Sequence, residues 1–332
     1  MEKTNRDVSP TVLAMKWLDG IRRRVTRRAT VAALGASGVL GCKRLRSAGV
    51  ALGRFARLAL RDRLVRNLRA AGVDSSDATV GAYFRRFGLW AGHSLGAFSA
   101  GIDTCLAPTQ IELDPVTIHH IDDAVARGNG VVLATPHLFC HELAAALLHR
   151  RHPVTALVRE SKDQGWGAIK HRWYGTALGL NTVARPRKGS VAGDMAAMLR
   201  VLRGGGVLGI TPDVLTARGS GLPVQIFGRT VSLSPGMVLL GMRSGAAVIT
   251  GRSHWIADPS CPGRERVRMS FSEPMDLPES GDRETILRAG LQRWCSAFEA
   301  ELHRSPADWL FWLDKAWTKV LREPVTASRR AA

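Results

Sequence analysis

The stretch 130-GVVLATPHLFCHELAAALLHR-150 changes character halfway along. Its first half is β-branched and apolar and its second half is rich in Ala and Leu, so it reads as a buried strand handing over to a helix. The same alternation recurs downstream. Strands are expected over 131–135, 154–158, 181–184, 207–211, 224–227, 248–256 and 266–273, with helices near 141–150, 165–178, 190–203 and 234–244. Upstream, Ser75 or Ser76 is placed to cap a helix through "ATVGAYFRRFGLWAGHSLGAF", and a shorter helix is expected in "DPVTIHHIDDAVARG". Strands and helices taking turns in this way predict an α/β fold, a central mostly parallel or mixed sheet flanked by helices.

The chain of 332 residues carries a formal net charge of +19. Through residue 72, 17 Lys or Arg stand against Glu2, Asp7, Asp19 and Asp62, a local excess of +13. Such an excess calls for an anionic partner: nucleic acid, an acidic protein or an anionic membrane surface. Nucleic acid is disfavoured, because Trp17 and Phe55 are the only aromatics in that region and stacking platforms are missing. The longest nearly uncharged apolar stretch, 29–42, has 14 residues, short of the roughly 20 that cross a bilayer. The stretch "LGRFARLALRDRLVRNLRAAG" interleaves Leu and Phe with Arg as a basic amphipathic helix, which packs on its own domain or lies on a membrane interface. The five cysteines are scattered without a CxxC pair, which argues against a disulfide framework and a structural zinc site.

Two short motifs fail on context. "GGGVLG" at 204–209 matches G-x-G-x-x-G, yet it leads into a strand instead of following one, so its glycines read as a helix end and a turn. His137, His141 and Glu142 follow neither zincin order, and no metal or other cofactor is expected. The remaining chemistry uses His137 and Glu142 as a pair. On an unbroken helix, residues five apart point about 140° away from each other. If Pro136 holds the chain extended and the helix begins only after His137, the imidazole can fold back so that Glu142 accepts its N–H. A neutral imidazole held in one tautomer by a carboxylate is a general base for a hydroxyl attacking an acyl carbon. That chemistry needs no serine nucleophile, and no G-x-S-x-G elbow is visible.

His137-x4-Glu142 after a hydrophobic strand resembles the motif of the glycerolipid and lipid A acyltransferases. Further blocks in order narrow the resemblance to the lipid A lauroyl/myristoyl acyltransferase family: "VRNL", "GVVLATPHLFCHE", "LVRE" near Arg159, "MLRVLRGGGVLGITPD" ending at Asp213, "VQIFGRTVSLSPGMVLLGMRSGAAVI" and "SPADWLFWLDKAW". The resemblance covers roughly residues 55–320. It implies a glycerolipid acyltransferase-like fold that moves a fatty acyl chain from an acyl thioester, acyl carrier protein or acyl-CoA, to a hydroxyl of a membrane glycolipid such as a lipid A precursor. His137 would be the base and Glu142 its orienting partner. Arg159 would bind phosphate or stabilise the oxyanion, Asp213 would organise the site through hydrogen bonds, and Arg229 would face the acceptor or close a turn with Gly228. Arg185, Arg187 and Lys188 are expected at the same sheet edge as His137, as a basic rim for an acidic carrier protein.

The resulting organisation is a basic, membrane-associating region at 1–72, an acyltransferase domain at 73–320 and a flexible tail at 321–332. The expected setting is peripheral, on the cytoplasmic face of a bacterial inner membrane. His141 and Val214 stand where relatives commonly carry Trp and Gln, which leaves the catalytic pair intact and opens the acceptor to another lipid, such as a phosphatidylinositol mannoside. A separate alternative is a non-enzymatic basic protein that retains the fold and binds anionic lipid or nucleic acid.

Overall fold

A computed structural model describes residues 41–105, 110–161, 163–185, 191–217, 219–259, 261, 264–278 and 281–325. Arg187, Lys188, the tail 326–332 and all but the last two residues of the stretch 29–42 lie outside the described residues. The first described element is a long helix, α1 (41–70), followed by α2 (Asp77–Ala100), whose first turn is capped by Ser76 accepting from the Thr79 N–H. A short α3 (Ile102–Cys105), β1 (Ile111–Leu113) and α4 (His119–Ala126) lead into the alternating region. There β2 (Val131–Ala134), α5 (His141–His149), β3 (Val154–Arg159) and α6 (Gln164–His171) follow one another, and α6 widens into a π-helical turn, Arg172–Ala177. Next come β4 (Asn181–Arg185), α7 (Val191–Arg203), β5 (Val207–Ile210), the hairpin β6 (Leu222–Ile226) and β7 (Arg229–Leu233), and α8 (Gly236–Ser244). The last elements are β8 (Ala247–Ala257), β9 (Glu265–Phe271), α9 (Arg283–Arg304), two 3₁₀ turns and α10 (Lys315–Arg322).

Seven strands form one mixed sheet in the order β1-β9-β8-β2-β5-β3-β4. All pairs are parallel except β8 with β9. β2 is buried along its whole length between β8 and β5, which is why its sequence is an unbroken apolar run and not an alternation. β5 is inserted between β2 and β3, so the C-terminal ends of these three strands open on one edge of the sheet. In such open sheets that edge is where ligands bind. The expected α/β class and most element positions hold. Two short strands, β1 and β7, were not expected, and Cys42 is disulfide-bonded, contrary to the reading of the scattered cysteines.

α1 carries two apolar stripes. One, Leu45, Gly49, Gly53, Ala56, Leu64 and Leu68, is buried. It crosses α2 so closely that a Cβ on Gly49 would lie 2.3 Å from the Gly88 carbonyl oxygen, so only glycine fits there. The other stripe faces outward, with Leu52, Phe55 and Leu58 exposed to 45, 69 and 85 %. Around it Lys43, Arg44, Arg54 and Arg66 are also exposed. Among the described residues no helix is long and apolar enough to cross a membrane.

Candidate active site

β2 ends at Ala134, and the Pro136 ring disfavours the helical region for Thr135 before it, so the chain leaves the strand extended. The Leu138 N–H donates to the Pro136 carbonyl at 2.7 Å, a three-residue turn with His137 at its apex. The helix α5 begins four residues later, after Cys140 in the left-handed conformation (φ 66°). His137 is thereby lifted off the strand end and off the helix alike. Its ring stacks on Phe311 at 4.1 Å and keeps 21 % of its side-chain surface exposed.

The carboxylate that meets this imidazole belongs to Asp213, just past β5 and wholly buried. Nδ1 lies 2.7 Å from Asp213 Oδ1, while the His137 backbone N–H donates to Oδ2 at 2.9 Å. Both oxygens of one carboxylate therefore hold one residue by ring and backbone together. Burial alone would push the His137 pKa down; the charge and hydrogen bond of Asp213 overcome it and hold the pKa above the ordinary histidine value. For Asp213, burial acts to raise the pKa, and the charge of His137 with the bonds from His137 and Trp309 brings it below its ordinary value. A carboxylate acceptor at Nδ1 fixes the proton there and leaves the Nε2 lone pair for a substrate.

Glu142 does not occupy the place the sequence suggested for it. It lies in the first turn of α5, and its carboxylate accepts from Trp173 Nε1 at 3.0 Å and from the Tyr174 hydroxyl. Both donors come from the π-helical turn, a local irregularity often found at functional sites. Burial and then the charge of Glu142 push the Tyr174 phenol up, so it stays protonated and donates. The correction has a physical cause: Asp213 offers His137 two bonds at once, and two aromatic donors claim Glu142. Among the described residues no group of three or more His, Cys, Asp or Glu is placed to hold a metal ion, and His141 Nδ1 meets the Leu138 carbonyl at 2.8 Å.

The segment from Pro306 to Trp317 closes the back of the site. Leu138 and Trp309 form an antiparallel bridge, with Phe139 N–H donating to the Asp308 carbonyl at 2.9 Å and Leu310 N–H to the His137 carbonyl at 2.9 Å. Trp309 Nε1 donates to Asp213 Oδ2 and Trp317 Nε1 to the Asp213 carbonyl, each at 2.9 Å. Trp309, Trp312 and Trp317 are fully buried and pack edge to face, so their indole N–H groups require partners and find them here.

Arg159 is the last residue of β3 and is exposed, beside Arg185, the last of β4, in register with it. Because β3 and β2 both flank β5 in parallel, this arginine pair lies on the sheet edge that carries His137 and Asp213. Arg187 and Lys188 follow outside the described residues. Arg229 is a second correction. It is buried and donates to four carbonyls, those of Ala70, Phe227, Leu321 and Glu323, at 2.7–3.0 Å. Three of these belong to the ends of α1 and α10, where helix carbonyls are otherwise orphaned and attract a cation. The turn itself is made by Phe227 and Gly228, both with positive φ, the pairing a two-residue hairpin favours. Arg229 is held inside the fold by these main-chain carbonyls.

The sequence motifs point to none of Phe311, Trp173 and Tyr174, and Trp309 and Trp317 stand only within the quoted block "SPADWLFWLDKAW". The π turn leaves no periodic trace in "HRWYGTA", whereas the indole density of "DWLFWLDKAW" was a visible signal. The sequence profile of a family described as bacterial lipid A biosynthesis acyltransferase matches residues 21–319. Comparison with curated proteins gives no match.

Proposed function

The chain belongs to the bacterial lipid A biosynthesis acyltransferase family, and from that premise we propose that His137 and Asp213 catalyse transfer of a fatty acyl chain from a thioester to a hydroxyl of a lipid A precursor. The observation that carries this reading is the buried carboxylate on Nδ1 of a partly exposed imidazole. Nε2 takes the proton of the acceptor hydroxyl as its oxygen attacks the thioester carbonyl carbon. The carbon–oxygen bond forms, the carbon–sulfur bond breaks, and the imidazolium returns the proton to the departing thiolate. The transient oxyanion needs a fixed positive charge, and Arg159 is the candidate. Glu142 adds negative charge near His137 and stabilises its protonated form between the two proton transfers.

The donor we propose is acyl carrier protein, an acidic partner attracted to the edge bearing Arg159 and Arg185. The acceptor is reached from the membrane. Leu52, Phe55 and Leu58 would enter the interface of an anionic monolayer while the surrounding Lys and Arg meet its headgroups, a peripheral attachment at the cytoplasmic face. The test is transfer of labelled acyl chain from acyl carrier protein to a lipid A precursor in vesicles. Wild-type protein yields a labelled, more acylated lipid and His137→Ala yields none; full transfer by folded His137→Ala protein refutes the mechanism.

A further inference from the structure

α1 also reaches the site from behind. Asn67, near its C-terminal end, is 2 % exposed. Its side-chain amide donates to the Trp312 carbonyl at 2.6 Å and to Thr318 Oγ1 at 3.0 Å. Thr318 Oγ1 in turn donates to the Asp314 carbonyl and accepts a second bond, from Arg63, at 2.9 Å. These contacts fall at the junction where the second 3₁₀ turn, Leu310–Leu313, gives way to α10.

We propose that Asn67 is a positioning residue for the catalytic pair, acting through this junction on the two tryptophans that hold Asp213. The argument is geometric. Asp213 receives hydrogen bonds from two sources only that the structure describes: His137 itself, and the indoles of Trp309 and Trp317. The two indoles lie on opposite sides of the junction, three residues before Trp312 and five after it. A shift between the 3₁₀ turn and α10 therefore moves one indole relative to the other, and Asp213 cannot keep both bonds. Phe311, stacked on the His137 ring, is the residue next to the carbonyl that Asn67 binds. One buried amide on α1 thus fixes the spacing of three aromatic groups that touch the pair. Asn67 touches neither the reacting atoms nor the pair.

The inference rests on the proposed use of His137 as base, and its test separates the two. Asn67→Leu keeps the volume and removes both donors; Thr318→Val keeps the shape and removes one acceptor. Misplacement of about 1 Å far from the chemistry can cost roughly 10²-fold, so Asn67→Leu should lower kcat about 10- to 100-fold with KM little changed, and Thr318→Val less. The acid limb of the pH–rate profile should also move to lower pH, because an Asp213 that has drifted from the ring no longer raises the His137 pKa. NMR titration of the His137 ring, which needs no substrate, should show the same downward movement. Leu291→Ala in the core of α9 serves as the comparison of lowered stability, and its His137 titration should stay in place.

If Asn67→Leu does not fold, Thr318→Val carries the test. Unchanged titration of His137 in the folded variant, or an equal shift in Leu291→Ala, overturns the positioning role. Absence of acyl transfer in the wild-type protein combined with a shifted titration would overturn the proposed reaction and leave the positioning role standing.

Discussion

Replacing Asp213 by Asn separates the two carboxylates that could serve His137. The change keeps the shape and removes the charge. In the native site Oδ2 accepts two N–H groups, from the His137 backbone and from Trp309, while Oδ1 faces His137 Nδ1 alone. Asparagine has one acceptor oxygen, and the position with two donors claims it. Its NH₂ then faces Nδ1, which must become the acceptor, and the ring proton moves to Nε2. That is the wrong tautomer for a base, and the comparable change in a serine protease triad lowers kcat by about 10⁴-fold. A loss of roughly 10³- to 10⁴-fold in kcat is therefore expected, with KM little changed because the buried Asp213 meets no substrate. The pH dependence follows the same logic. As the proposed base His137 works when neutral, and its pKa is raised, so wild-type kcat should rise with pH along a limb above the ordinary histidine value of about 6.5. In Asp213→Asn burial acts without its counterweight, and the limb of the residual activity should fall below that value. Single-turnover transfer of labelled acyl chain across this range measures both quantities. Asp213→Asn protein that is folded and keeps more than a tenth of wild-type kcat, with an unmoved limb, would refute the assignment.

Glu142→Gln should cost kcat far less than Asp213→Asn and move the acid limb only slightly downward, since Glu142 supports the His137 cation through charge and not through a hydrogen bond; single-turnover rates of the two variants compare them. Phe55→Ser with Leu58→Ser should weaken capture by vesicles containing anionic lipid in flotation experiments, and high salt should release wild-type protein too, because screening lengths fall to about 3 Å at 1 M. Retention of the double variant at wild-type level through high salt would exclude the outward face of α1 as the contact. Arg229→Met leaves four carbonyls without their donor, and at about 1–3 kcal/mol for an unsatisfied buried group a loss of at least ~3 kcal/mol is expected in urea unfolding. Substrate affinity at low temperature should be unchanged, whereas a raised KM without loss of stability would return Arg229 to the acceptor site.

Linkage gives the pair a second, independent reading in stability. The raised His137 pKa contributes stability that is present below the unfolded value and lost as pH rises through the folded one. The lowered Asp213 pKa contributes stability that is present above its unfolded value and lost as pH falls through the folded one. Their attraction is fully expressed only between the two unfolded values, where stability is level, so Asp213→Asn should lower stability across that window and remove the declines that flank it on the acid and alkaline sides.

What the sequence disclosed was set by what is local. The strand-to-helix handover after 130 was legible because an apolar run, Pro136 and an Ala/Leu-rich segment each act within a few residues, and the structure keeps β2, the turn at His137 and α5 in that order. The histidine stood out for the same reason. Its partner did not, because the choice lay between a carboxylate five residues away in sequence and one 76 residues away, and sequence distance favours the wrong one. Parallel pairing of β2 with β5 brings Asp213 level with His137, and that register is a tertiary fact. The π turn that occupies Glu142 is equally invisible, since a single inserted residue in a helix changes which side chains face inward without changing composition. Arg229 shows the opposite failure. A charged residue after a glycine looks exposed, yet three of its four acceptors come from helix ends 92 to 159 residues away, and only assembly of α1 and α10 creates the polar hole it fills. The motif located the histidine, and the packing of distant elements decided which carboxylate meets its ring.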